Sequence, residues 1–134
     1  MSNLPPAVQA WIQKAENDLK TIRAILASAD PTWDTVCFHA QQAAEKYLKA
    51  YLVYQGGLPP RTHDLGRLLG VCEDFDASLA SLEQDCESLS DYAVETRYPD
   101  IFEPDEPSAR RAIAAAERIA QAIQSRLRPG GTTA

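Results

Sequence analysis

Between Phe38 and Gly57 the chain reads FHAQQAAEKYLKAYLVYQGG, an alanine-rich run in which His39, Gln42, Glu45, Lys46 and Lys49 interrupt apolar residues. These side chains can do chemistry on an anion. Lysine ammoniums supply charged donors to phosphate, a glutamine amide can hydrogen-bond a base or ribose, and an imidazole can move a proton near neutral pH. At helical spacing His39, Gln42, Lys46, Lys49 and Val53 alternate by three and four residues and fall on one strip, with Glu45 alongside. A solvated flank accounts for the same residues. Glu45 and Lys49 form an (i, i+4) pair in the favourable order, worth about 0.3–0.5 kcal/mol at a surface.

Two other stretches carry chemistry-bearing residues. RTHDLGRLL sets His63 and Asp64 where a helix begins, and DYAVETRYPD sets Arg97 and Tyr98 where one ends. Each has a structural role open to it. His63 can cap or pack at the helix start, and Tyr98 before Pro99 can anchor a loop. Arg97 near a helix C-terminus is favoured by the macrodipole and can neutralise Glu45, Asp91 or Glu95. If the stretches fold back around one pocket, Gln42, Glu45, Lys46, Lys49, His63, Arg97 and Tyr98 form a ligand site. Arginine adds forked donors there, and tyrosine adds a hydroxyl or a stacking face.

Other chemistries lack their residue patterns. His39 and His63 are the only histidines and have no His-x-x-x-His spacing, so no metal site is expected. Cys37, Cys72 and Cys86 are odd in number and contain no C-x-x-C pair, which points to buried free thiols rather than zinc or disulfides. GRLLG lacks the lysine and hydroxyl of a phosphate-binding loop. No cofactor is expected.

The elements that must position these residues are helices. Val8, Trp11, Ile12, Ala15, Leu19, Ile22, Ile25 and Leu26 recur at three and four residues, with Pro5 and Pro6 suited to the first turn. Pro31 ends that helix, and Asp30 is expected to cap a second one that runs through Val36, Ala40, Ala44, Tyr47, Leu48, Tyr51 and Leu52. Gly56 and Gly57 stop it. Thr62 or Asp64 is expected to cap a short third helix, LGRLLGVCEDF. A fourth is predicted over about residues 77–97, with Leu79, Leu82, Cys86, Leu89, Tyr92 and Ala93 inward. YPDIFEPDEP reads as a loop. A last helix, from about Pro107 to Leu127, carries an alanine-rich stripe of Ala112, Ile113, Ala116, Ile119, Ala120 and Ile123. No segment alternates as a strand. The fold expected is all-α, an up-and-down bundle of four long helices plus one short helix, forming one domain over 1–128 with a disordered tail over 129–134.

At 134 residues the length suits one core. A net charge of −6 argues against general nucleic-acid binding, DNA included, while leaving room for a local basic pocket. No apolar run approaches the roughly 20 residues of a membrane span, and the start lacks a secretory pattern, so a cytoplasmic protein is expected.

The opening AENDLKTIRAIL, the helix FHAQQAAEKYLKAYL, the loop-helix HDLGRLL and the segment TRYPD, in that order, resemble the HEPN family. These are helical-bundle domains found beside minimal nucleotidyltransferases and in toxin–antitoxin systems. The resemblance spans roughly residues 8 to 127. It implies a four- to five-helix bundle, a homodimer, and an accessory role as nucleotide binder or partner of a minimal nucleotidyltransferase. The family's ribonuclease branch carries an arginine four to six residues before a histidine. Here Arg23 is much too far from His39, and Arg61 has only Thr62 between it and His63. The usual ribonuclease chemistry is therefore not expected. Two alternatives stand beside the binding role: a divergent metal-independent ribonuclease using His39 or His63 on an RNA substrate, and a non-catalytic dimerisation scaffold.

Overall fold

The computed structural model describes residues 3–93 and 103–127. These are helical, with no strand among them: α1 (Pro6–Leu26), α2 (Trp33–Tyr54), α3 (Leu65–Glu73), α4 (Glu83–Leu89) and α5 (Glu106–Gln124). Pro5 and Pro6 open α1, where a missing amide donor leaves no intrahelical bond unmade. Gly56 takes φ +88° just past α2, as a helix stop requires. Asp64 caps α3 by accepting the Arg67 amide.

Two local expectations change. Asp30 does not cap α2; Thr32 stands at that position without a side-chain bond, and Asp34 supplies the favourable negative charge in the first turn. The continuous helix expected over about 77–97 is divided into a 3-10 helix (Ala77–Leu82), α4 and a short 3-10 turn (Ser90–Tyr92). The Asp76 carboxylate accepts both the amide and the hydroxyl of Ser78, a two-residue local bond that competes with α-helical pairing. In the tighter coil Leu79 and Leu82, three apart, both reach the core. Residues beyond Ala93 in that expected helix, and the expected tail, lie outside the described residues.

The core runs along α2, which packs on α1 on one side and α5 on the other. Ala40, Ala43 and Ala44 of α2 and Ala109, Ala112, Ala115 and Ala116 of α5 are buried, and these small side chains let helix backbones approach closely. Tyr47, fully buried, donates its hydroxyl to Glu16 of α1 and accepts from Gln124 of α5 at 2.8 Å, so one phenol ties three helices. Burial and the Glu16 carboxylate push its ionisation well above the ordinary tyrosine range.

Cys37, Cys72 and Cys86 are all free and buried. Burial pushes the Cys72 and Cys86 thiols up to about 12. Both access and thiolate are therefore withheld. A disulfide reagent at about pH 8 is expected to leave these two thiols unmodified in the native protein and to titrate all three cysteines in denaturant. Rapid native modification of Cys72 or Cys86 would contradict this packing.

Candidate functional site

The polar strip of α2 faces the seam with α1 and the chain leading into α3. α1 and α2 run antiparallel, so Asp18 meets His39 and Lys46 around the middle of α2 and Trp11 meets Lys49 nearer its end. Two carboxylates divide the cations there, each shared by one lysine and one imidazole. Asp18 Oδ1 lies 2.8 Å from His39 Nδ1, and Asp18 Oδ2 accepts from Lys46 Nζ at 2.6 Å. Glu45 Oε2 accepts from Lys49 Nζ at 2.9 Å, while Glu45 Oε1 lies 2.9 Å from His63 Nδ1.

Three of the expected ligand residues, Glu45, Lys49 and His63, thus converge. Lys46 belongs to the Asp18 cluster instead. Gln42 donates to Gln41 Oε1 at 2.7 Å, and Gln41, itself fully buried, donates to the His63 carbonyl at 3.1 Å. These amides brace the entry to α3. Arg97 and Tyr98 lie outside the described residues.

The solvated-flank account of Glu45 and Lys49 does not hold. Glu45 is 3% exposed and Lys49 8%, so the pair is buried rather than washed by solvent. Lys49 Nζ also sits 5.4 Å from the centre of the Trp11 ring, whose negative face complements the ammonium. His63 is the open member of the cluster, its side chain 71% exposed.

Asp18 was not anticipated, although the sequence carries a signal for it. It falls between Ala15 and Ile22 at three and four residues, inside the buried stripe of α1. A carboxylate at an inward position needs partners. His39 and Lys46 are its partners.

Beside Lys49 the helix ends leave a cleft of about 440 Å³, lined by Ala7 and Trp11 of α1, Val53 of α2 and the loop residues Gly57, Leu58, Pro59, Pro60 and Arg61. Its walls are mostly apolar. Leu58 is 96% exposed at the rim, while Trp11 and Val53 pack against the core from behind. Arg61 is exposed and makes no ion pair among the described residues. The cleft can take an apolar group and meet a carboxylate at its edge. No group of three or more metal-ligating side chains occurs among the described residues.

Paired charges along the seam of its first two helices, with an apolar cleft at their ends, sit on an all-helical domain. The chain belongs to the HEPN domain family, whose model matches residues 8–126. Solved structures agree. TT1696 from Thermus thermophilus is 26% identical with a TM-score of 0.76, over 90% of this chain and 98% of that one. ST0689, described as an archaeal HEPN homologue, is 28% identical with a TM-score of 0.69, again over 90% and 98% of the two chains. No curated protein matches the chain. No described helix is long and apolar enough to cross a membrane.

Proposed function

We propose that this chain is a HEPN accessory protein that works by binding, as the homodimeric partner of a minimal nucleotidyltransferase in a toxin–antitoxin-like pair. The observation that carries the reading is the division of Lys46 and Lys49 between Asp18 and Glu45. A phosphate entering either cluster meets a carboxylate already holding the ammonium, and pays for the desolvation of a third charge. Nucleotide binding through this strip is accordingly the weaker half of the expectation. The apolar cleft beside it suits a protein segment instead. Its occupant is an apolar stretch of the nucleotidyltransferase bearing an acidic residue, seated on Trp11, Val53 and Leu58 with the carboxylate at Arg61.

Coexpression with the minimal nucleotidyltransferase from the same gene neighbourhood, followed by size exclusion with light scattering, tests the reading. A stable complex is expected. A neighbourhood without such a gene, or two partners that elute separately at micromolar concentration, would end it. The ribonuclease alternative draws on the carboxylates at Nδ1 of both histidines, which orient each imidazole as a general base is oriented. Cleavage of single-stranded RNA in chelator, lost in His39→Ala or His63→Ala, would favour that alternative over the binding role.

A further inference from the structure

Two large apolar side chains stand in solvent among the described residues: Leu58, at the rim of the Trp11 cleft, and Phe75, half exposed between α3 and the 3-10 helix. A single apolar residue at a surface is ordinary. Phe75 differs in being held out on a fixed backbone. The amides of Asp74, Phe75 and Asp76 donate to the carbonyls of Val71, Cys72 and Cys72 at 3.2, 3.0 and 3.1 Å, and the Asp76 carboxylate is pinned by Ser78 and by Arg126. The ring is therefore ordered before it meets anything, which lowers the entropy lost on contact.

The charge around the ring is the reverse of that at the cleft. Asp74, next to Phe75, is exposed and makes no ion pair among the described residues, and Glu73 before it lies beside Glu83. Phe75 is thus an apolar group edged by carboxylate, which is what the apolar walls and the Arg61 guanidinium of the cleft fit. Both features also lie at one end of the molecule. His63, ahead of α3, pairs with Glu45; Cys72, within α3, donates to the Leu48 carbonyl; and Asp76, past it, acts electrostatically on the Tyr51 hydroxyl. Hence α3 advances toward the C-terminal end of α2, where Val53 and Gly57 wall the cleft. Phe75 is not among the walls of its own cleft. A second copy turned about a two-fold axis at that end offers ring to cleft and cleft to ring.

We infer that the cleft takes Phe75 of a second copy of this chain, with the ring against Trp11, Val53 and Leu58 and the Asp74 carboxylate at Arg61. The contact joins bundle ends through loops and leaves the helix faces to the homodimer proposed above, so it links one homodimer to the next. It rests on the cleft assignment made under the proposed function and adds its regulation. A cleft that holds Phe75 is closed to the nucleotidyltransferase, and the two occupants exclude each other.

The experiment is sedimentation equilibrium of the full chain, without nucleotidyltransferase, from micromolar to millimolar concentration. Wild type is expected to gain mass beyond the homodimer as concentration rises. Phe75→Ser and Leu58→Asp, each alone, are expected to weaken that step at least about thirtyfold, as loss of an apolar anchor does. An equimolar mixture of the two variants keeps an intact ring on one and an intact cleft on the other, and is expected to recover part of the gain. Such recovery also excludes misfolding as the cause of the loss. A wild-type mass that does not change with concentration, Phe75→Ser associating as wild type, or a mixture no better than its components overturns the inference. Phe75→Ser keeps the cleft whole and is expected to bind the nucleotidyltransferase at least as tightly as wild type. Failure of the self-contact beside an intact nucleotidyltransferase complex therefore strikes this inference alone, and the converse strikes only the partner assignment.

Discussion

Glu45→Ala is expected to destabilise the fold by about 3 kcal/mol, the cost of leaving one member of a buried ion pair uncompensated. The argument rests on Lys49. Lys49 is 8% exposed, and the Trp11 ring beside its ammonium offers only part of the compensation that Glu45 supplies. His63 loses the same carboxylate but is open to water, so its share of the loss is small. Urea unfolding at constant m-value measures the change. The companion Glu45→Leu/Lys49→Met removes both charges and fills similar volume, and is expected to recover most of the stability, because a well-packed apolar pair avoids desolvating two ions. A single variant that unfolds at the wild-type midpoint would mean that Lys49 reaches water in solution. Lys49 would then be available to an anionic ligand, and the case against nucleotide binding through the strip would lapse.

This behaviour separates two meanings that the same sequence pattern allows. An (i, i+4) Glu–Lys pair on a solvated helix contributes a few tenths of a kcal/mol, whereas the same pair under a tryptophan is a structural element whose halves cannot be removed singly. Spacing along α2 cannot distinguish them, because burial is decided by α1. Trp11 and Asp18 stand seven apart on α1, two turns along one face, and together they cover the strip from Lys49 to His39.

The helices themselves were legible because their stripes are regular and their ends carry strong punctuation. Pro5 and Pro6, Gly56 and Asp64 each act locally, and a local signal survives whatever the tertiary structure does. The fourth segment was less legible. Leu79, Leu82, Cys86 and Leu89 have spacings that an α-helix and a 3-10 helix both satisfy at the start, and the choice falls to Asp76 bonding Ser78. Arg126 of the last turn also holds Asp76, at 2.7 Å, from fifty residues away. The Ser78 hydroxyl first, and Arg126 after it, keep that carboxyl well below the usual range, at about 2. The candidate site was legible in part. Glu45, Lys49 and His63 stand together, but with the amine and the imidazole both on the one Glu45 carboxylate rather than around an open anion pocket, and the carboxylate that takes Lys46 comes from α1.

Leu58→Asp is expected to weaken the proposed complex with the nucleotidyltransferase by about thirtyfold or more while leaving the unfolding midpoint unchanged. The first part follows from hot-spot energetics: an anchor at an apolar interface carries about 2 kcal/mol or more, which is about a thirtyfold change in affinity. The aspartate adds a second penalty, since it stands three residues from Arg61 and competes for the cation assigned to the partner's carboxylate. The second part follows from exposure. Leu58 is 96% exposed in the free chain, so its replacement removes no core contact. That contrast makes the test clean, because Trp11→Ala would weaken both the complex and the fold by uncovering Lys49. Arg61→Ala is expected to act more weakly and mainly at low salt, as a rim charge does. If Leu58→Asp binds as wild type, the proposed nucleotidyltransferase does not dock at the cleft between the ends of α1 and α2, and the cleft loses its proposed occupant.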